Sequence, residues 1–370
     1  MNTTDEHLKY RIALTLLPGI GSVLAKNLVS YCGSVENIFK KKKQQLERVP
    51  GIGNEKADAI LNHSVFDRAE KEVLFVRKHN IQTFFYLDQD YPARLKNCDD
   101  APPLLFYKGN ADLNTSRIVA IVGTRNATPY GKQITEAMVE GFSKYNATIV
   151  SGLAYGIDII AHKASVKNKV PNIGVLAHGL DRIYPQAHKT VAEKMILNGG
   201  VLTEFASKTN PDRENFPSRN RIVAGMTDAT IVIESATKGG ALITADIANS
   251  YNRDVFAVPG KVGEKYSEGC HEFIRTNKAM LVESADQVAE ILGWNDDVSK
   301  KKENKQLKFF HDLKEEEKIL VNILQQSGKL DIDNLTAHTN LHVSKVSSTL
   351  LNLEFAGVLR SLPGKVYELV

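Results

Sequence analysis

The chain has 370 residues, 42% hydrophobic and 24% charged, which suits a soluble globular protein of two or three domains with at least one large core. Its 47 Lys+Arg against 43 Asp+Glu leave a net charge of only +4, so any polyanion must be met by a local basic surface and not by the field of the whole molecule. Cys32, Cys98 and Cys270 lie far apart without CxxC or Cys/His spacing, no apolar run nears the roughly 18 residues of a membrane span, and MNTTDEHLKYRIAL lacks a signal-peptide layout; the expectation is a cytoplasmic chain with no disulfide framework, metal, cofactor or membrane partner.

Residues 1–66 contain an internal repeat. Leu17-Pro18-Gly19-Ile20-Gly21 and Val49-Pro50-Gly51-Ile52-Gly53 each close one helix, turn on Gly-Ile-Gly and open another helix. The pair resembles tandem helix-hairpin-helix motifs, whose turns can offer backbone N–H groups to a DNA phosphate; the same turns serve equally to fold a compact helical unit. The Lys40–Lys43 run reads as solvated surface. Residues 67–116 read as a lead-in to the next domain: a helix over Asp67–Ile81, then an extended route through Tyr91-Pro92 and Pro102-Pro103 to Leu104-Leu105-Phe106-Tyr107.

Residues 117–294 alternate short, β-branched apolar runs (RIVAIVG, ATIVSG, PNIGVLAHG, GGVLTE, ATIVIES, DVFAVPG, AMLVES) with helical stretches over Pro129–Tyr145, Ile157–Asn168, His188–Asn198 and Ala241–Asn252. Runs that do not alternate belong to strands buried on both faces, so this part is expected to be an extended Rossmann-like α/β domain with a mostly parallel, doubly wound sheet. Residues 295–312, which begin NDDVSKKKENKQL, are charged, lack apolar period and read as a linker. Residues 313–370 then give helices over Glu315–Gln326, Asp333–Thr339 and Val343–Phe355, with a hairpin turning at Leu362-Pro363-Gly364-Lys365, the pattern of a winged helix. Its third helix offers Lys345 and its wing Arg360 and Lys365, a charge pattern that favours protein contact or regulation over reading of a duplex.

In such sheets ligands bind beyond the carboxyl ends of the strands. Gly123-Thr124-Arg125 follows the first run, and Thr128-Pro129 starts a helix whose N–H groups are free to hold an anion. Ser151-Gly152 follows the second run, and Gly239-Gly240 precedes the helix after the fifth. Between Phe216 and Gly225 the chain reads FPSRNRIVAG, an aromatic ring and two arginines about a proline-fixed turn, the minimal chemistry for a stacked base and a held phosphate. No GxxxxGK[ST] occurs, and His162, His178, His188 and His271 read as turn or core residues.

GTRNATPYG, SGLAYGIDIIAH, VLAHGLDRIYP, LTEFASKTNPDRENFPSRNRIVAG, GGALITADIA and RDVFAVPG, in this order, resemble the DNA-processing protein A (DprA/Smf) family. That resemblance implies a dimeric mediator that binds single-stranded DNA and passes it to the RecA recombinase during natural transformation. It carries the family's Gly-hydroxyl-Arg motif onto Gly123, Thr124 and Arg125, its base-contacting aromatic onto Phe216, the neighbouring basic residue onto Arg213 and the RNR element onto Arg219 and Arg221. The chain departs from the pattern at Ala177-His178-Gly179, at Gly239-Gly240 and at Gln186, where Lys189 can substitute for the usual basic residue. The alternative is an enzyme, a Rossmann-fold nucleotide phosphoribohydrolase using Asp158, Glu204 or Glu234 as acid-base carboxylates; GGALITAD lacks the GGxGTxxE arrangement of those enzymes.

Overall fold

A computed structural model describes residues 3–294, 314–339, 341–362 and 366–369. The expected linker 295–312 and the Pro363-Gly364-Lys365 turn lie outside the described residues. The chain divides into two compact units, Met1–Asp296 and Asp297–Val370.

The larger unit opens with helices α1 (Thr3–Leu16), α2 (Ser22–Cys32), α3 (Val35–Ile38), α4 (Lys43–Leu46), α5 (Asn54–Leu61) and α6 (Val65–Lys78). Both Gly-Ile-Gly turns fall where the repeat puts them: Gly19 and Gly51 have positive φ, and Ile20 and Ile52 are buried. A capless helix start follows each turn, at Gly21 and Gly53.

Strand β1 (Gln82–Phe85), helix α7 (Ala93–Lys96) and strand β2 (Leu104–Gly109) come next. The expected lead-in is therefore built into both neighbours. Helix α6 buries Ala69, Val73 and Val76 in the core of the helical region, and β1 and β2 join the large sheet. Their side chains alternate between two cores, Phe85, Leu104 and Phe106 facing the helices and Phe84, Leu105 and Tyr107 facing the α/β core. This is the period-2 geometry of a strand with apolar neighbours on both faces.

The α/β part follows as β3 (Ile118–Val122), α8 (Pro129–Ser143), β4 (Thr148–Ser151), α9 (Ile157–Lys167), β5 (Asn172–Val175), a 3-10 turn (Gln186–His188) leading into α10 (Lys189–Met195), β6 (Gly199–Thr203), α11 (Asn215–Gly225), β7 (Ala229–Val232), α12 (Gly240–Ser250), β8 (Asp254–Ala257), α13 (Glu268–Arg275), β9 (Met280–Leu281) and α14 (Ala285–Ile291). The sheet runs β1-β2-β6-β5-β4-β3-β7-β8-β9, parallel from β6 to β9, with β1 and β2 antiparallel additions at one edge. Helices α8, α9 and α14 cover one face, and α11, α12 and α13 the other. The strand order reverses between β3 and β7, which is where a doubly wound sheet leaves a crevice for a ligand.

One expectation fails here. FPSRNR is not a turn but the first half of α11. Pro217 is compatible with that because it sits in the first helical turn, where the missing N–H would have had no intrahelical acceptor.

The smaller unit consists of α15 (Glu315–Ser327), β10 (Leu330–Asp331), α16 (Ile332–Thr339), α17 (Val343–Phe355), β11 (Leu359–Leu362) and β12 (Val366–Leu369), with sheet order β10-β12-β11. Leu320, Leu324, Leu335, Val346, Leu350 and Leu353 form its core, as expected for a winged helix.

Candidate nucleic-acid interface

At the switch point an open cleft of about 760 Å³ lies between the loops after β3 and β7 and the start of α11. The loop after β3 is held from two sides: the Thr124 N–H donates to the Glu234 carbonyl (2.7 Å), and the Thr124 carbonyl accepts from the Ile157 N–H (3.1 Å). So pinned, it leaves Arg125 exposed at the cleft, its guanidinium 5.4 Å from the Phe216 ring centroid, in cation-π range. The pinning depends on Gly156, which has φ +76 and whose added Cβ would stand 2.1 Å from the Thr124 carbonyl oxygen.

Gly123, Thr124, Arg125, Arg213, Phe216, Gly239 and Gly240 all line this cleft. Arg125 and Arg213 are exposed and make no hydrogen bond or ion pair with the described residues, so both cations are available to a ligand. Helix α12 starts at Gly239 without a side-chain cap; the Gly239 N–H donates to the Ala236 carbonyl (2.9 Å) and the Leu242 N–H to the Gly239 carbonyl (3.1 Å), which leaves the Gly240 and Ala241 N–H groups and the positive helix end open to the cleft.

The anion site expected at the start of α8 is already filled. Glu234, only 4% exposed, accepts from the Thr128 N–H (3.0 Å) and from the Thr128 hydroxyl, whose oxygen in turn accepts from the Gly131 N–H (3.1 Å). A carboxylate at that helix end does what an external phosphate would have done. Glu234 therefore pairs with a helix terminus and not with an arginine of α11, and α12 supplies the open helix end.

Four other expected contacts have different roles or places. Ser151 is fully buried and donates to the Ile121 carbonyl (2.6 Å), so its hydroxyl is spent between strands. Gly152 borders the cleft, but its lack of a side chain serves Arg219, since an added Cβ would lie 2.4 Å from that guanidinium. Arg221 turns away: it pairs with Glu204, donates to the Asp100 carbonyl and reaches the Ser22 hydroxyl (3.5 Å), joining α11 to α2. Lys189 is exposed at the start of α10, 4.0 Å from Glu193 and outside the residues that line the cleft.

Arg219 is a special case. It reaches the cleft wall, 5.9 Å from the Phe216 centroid, yet is only 4% exposed. It donates to the carbonyls of Gly152 and Val175, tying together the ends of β4 and β5. Burial pushes its pKa down to about 10, and the neighbouring Asp158 charge holds it up; the guanidinium stays protonated near neutrality. Burial likewise pushes the Asp158 carboxyl up, against the pull of Arg219 and of the Ala154 and Gly152 N–H groups.

The three carboxylates weighed for acid-base work thus have structural partners: Asp158 in the β4–α9 turn, Glu204 on Arg221 and Glu234 on Thr128. His178 is also committed, its Nδ1 donating to the Gly179 carbonyl (2.9 Å) while Nε2 accepts from the Tyr184 N–H (3.2 Å). Burial lowers its pKa, in keeping with that neutral form.

The structure adds Tyr184, Lys265 and Tyr266 to the cleft. Tyr184 is about half exposed, and the Lys265 ammonium lies 5.5 Å over the Tyr266 ring. A basic-aromatic pair in the loop after a strand was a readable signal for the last two, and an aromatic before a proline for Tyr184.

Comparison with known proteins agrees with this architecture. The profile of the family described as DNA recombination-mediator protein A matches residues 82–293, that of the SAM-like helix-hairpin-helix tandem residues 12–63, and that of the DprA winged helix domain residues 311–365. The chain belongs to the DprA/Smf family. Protein Smf of Synechocystis is 32% identical, over 97% of this chain and 98% of its own length. The DNA processing protein DprA of Streptococcus pneumoniae is 40% identical over 56% of this chain and 73% of its own length. Its X-ray structure superposes with a TM-score of 0.66 at 33% identity, covering 76% of this chain and 97% of that one. A structure of the Helicobacter pylori DprA, titled for its single-stranded DNA binding mode, gives a TM-score of 0.53 at 30% identity, over 58% of this chain and 96% of that one. Among the described residues no helix is long and apolar enough to cross a membrane.

Proposed function

We propose that this chain is a single-stranded DNA-binding recombination mediator of natural transformation, a cytoplasmic homodimer that protects incoming strands and delivers them to RecA without catalysing a reaction. The observation that carries DNA binding is the meeting of Arg125, from the loop after β3, and Phe216, from the first turn of α11, on one cleft at 5.4 Å although they lie far apart in sequence. A flexible strand can lay a base on Phe216 while its phosphates reach Arg125, Arg213, Lys265 and the open end of α12. A duplex keeps its bases stacked inward and cannot use the ring. Family membership supports transformation, RecA delivery and the homodimer, and the structural roles of Asp158, Glu204 and Glu234 support a binding protein over a hydrolase.

Binding of single- and double-stranded oligonucleotides by wild type and Arg125→Ala tests this reading. Wild type is expected to prefer the single strand clearly, and the variant to lose most of that binding; equal single-strand affinity in both would remove Arg125 from the interface. Release of a free base from a nucleoside monophosphate by the purified protein would instead support the hydrolase.

A further inference from the structure

Arg213 reaches the cleft from the loop 204–214, which joins β6 to α11 and also brings Pro211 to the cleft wall. That loop is gripped from outside the α/β part. Arg68 and Glu72, one turn apart on α6, meet as an ion pair (2.8 Å), and Glu72 is only 1% exposed although it carries a carboxylate. Glu72 Oε1 accepts from the Ser207 N–H (2.8 Å), Glu72 Oε2 accepts from the Ser207 hydroxyl (2.6 Å), and Arg68 donates to the Ser207 carbonyl. The N–H, carbonyl and hydroxyl of Ser207 are thus all held by two side chains of the helical region.

Where the grip falls in the loop decides what it does. Lys208, the next residue, has φ +64, a left-handed conformation that a residue with a Cβ keeps only where its surroundings fix it. Its N–H donates to Asp181 Oδ1 (2.6 Å), Arg182 donates to Asn210 Oδ1 (3.0 Å), and the Thr209 carbonyl accepts from the Gly179 N–H (3.3 Å), so the loop after β5 holds the other side. Between these anchors and α11 lies the exposed Arg213. Apolar packing already joins the helices to the sheet, through Val73, Val76, Phe85, Leu104 and Phe106. A carboxylate stripped of water is a costly addition to such packing; what it adds is bonds of fixed direction on one residue of the loop.

We infer that Arg68 and Glu72 are positioning residues for single-strand binding: through Ser207 they hold the 204–214 loop so that Arg213 faces the cleft, and neither touches the strand. The inference rests on the single-strand reading above and deepens it, because it makes one side of the grip depend on a helix outside the α/β part.

The test measures affinity for a single-stranded oligonucleotide, and its salt dependence, on the full chain as wild type, Glu72→Leu, Arg213→Ala and the double variant. Leucine fills about the same space without the carboxylate, and the Arg68 side chain, 32% exposed, can turn to water. Glu72→Leu is expected to weaken binding about 3- to 10-fold and to make the slope of log affinity against log salt shallower by about 0.7, the loss of one phosphate contact. In the Arg213→Ala background the same substitution should leave the slope unchanged and the affinity within about twofold, because the residue it positions is gone. A merely structural role would leave the slope of the folded protein at its wild-type value, or would add to the effect of Arg213→Ala; either result overturns the inference. A wild-type slope in Arg213→Ala would overturn it too, since Glu72 acts through that residue. Should Glu72→Leu fail to fold, Ser207→Gly carries the test under the same criteria, because it keeps the Arg68–Glu72 pair while removing the hydroxyl bond and loosening the loop. If wild type binds strands and these variants bind as it does, only the positioning role falls; if wild type binds no strand, the proposed function falls.

Discussion

Arg213, Arg219 and Arg221 share one short stretch of chain, yet burial divides their work. Arg213 is exposed in the cleft, Arg221 is half-buried against Glu204, and Arg219 is sealed beside Asp158. Arg219→Ala would leave Asp158 as a buried charge without its compensating cation, at a cost of about 3–5 kcal/mol. Denaturant unfolding should record that loss for Arg219→Ala and little change for Arg213→Ala; a fully stable Arg219→Ala that fails to bind DNA would make Arg219 a contact after all. His162 carries a second residue-scale expectation. Its ring is fully buried, Nδ1 donates to Asn172 Oδ1 (2.9 Å), Nε2 has no hydrogen-bond partner among the described residues, and burial lowers its pKa from 6.5 to about 4. Between those values the unfolded chain binds a proton that the folded chain refuses, so stability present above about pH 6.5 is lost as the pH falls towards 4. The loss should reach about 3 kcal/mol in unfolding experiments across that range, and His162→Gln, which keeps a donor for Asn172, should flatten it.

Elements decide which loops reach the cleft and how firmly they are held. Gly156→Ala touches no ligand, but its Cβ would collide with the Thr124 carbonyl and its φ is positive, so the β3 loop that presents Arg125 must shift. Single-strand binding is expected to fall about as far as in Arg125→Ala, together with a loss of stability of about 1 kcal/mol or more; unchanged binding would show that the loop needs no support from α9. Much of this layer was legible in the sequence. The strand ends, the two Gly-Ile-Gly turns and the starts of α8 and α9 follow from apolar runs, glycines and the Thr128-Pro129 cap, which are local signals. Helix α11 was hidden because Pro217 and flanking polar residues look like a turn, while the helix exists through Ile222, Val223 and Ala224 packed on the sheet. For the same reason Ser151 looked like a ligand contact: a hydroxyl at a strand end reads alike whether it faces solvent or, as here, the Ile121 carbonyl. Which helix N-terminus stays open could not be read at all, since Glu234 and Thr128 meet only once β3 and β7 are neighbours.

At the scale of the whole molecule, which of the described cations are already paired governs how salt should act. Around the cleft Arg125, Arg213 and Lys265 are exposed and lack carboxylate partners among the described residues. Among the described residues of the smaller unit, Lys345 is paired with Glu316, and Lys329 and Arg360 with Glu368. An ion pair already made offers little net attraction to a phosphate, whereas an unpaired arginine releases a counterion from the strand when it binds. Three such contacts predict that log affinity falls against log salt with a slope of about −2, at roughly −0.7 per phosphate on single strands. Arg213→Ala should make the slope shallower by about 0.7, while Lys345→Ala with Arg360→Ala should leave both slope and affinity within about twofold of wild type. A full-length protein whose slope drops by a similar step in the double variant would place phosphates on the winged helix, and the larger unit would no longer account for the grip alone.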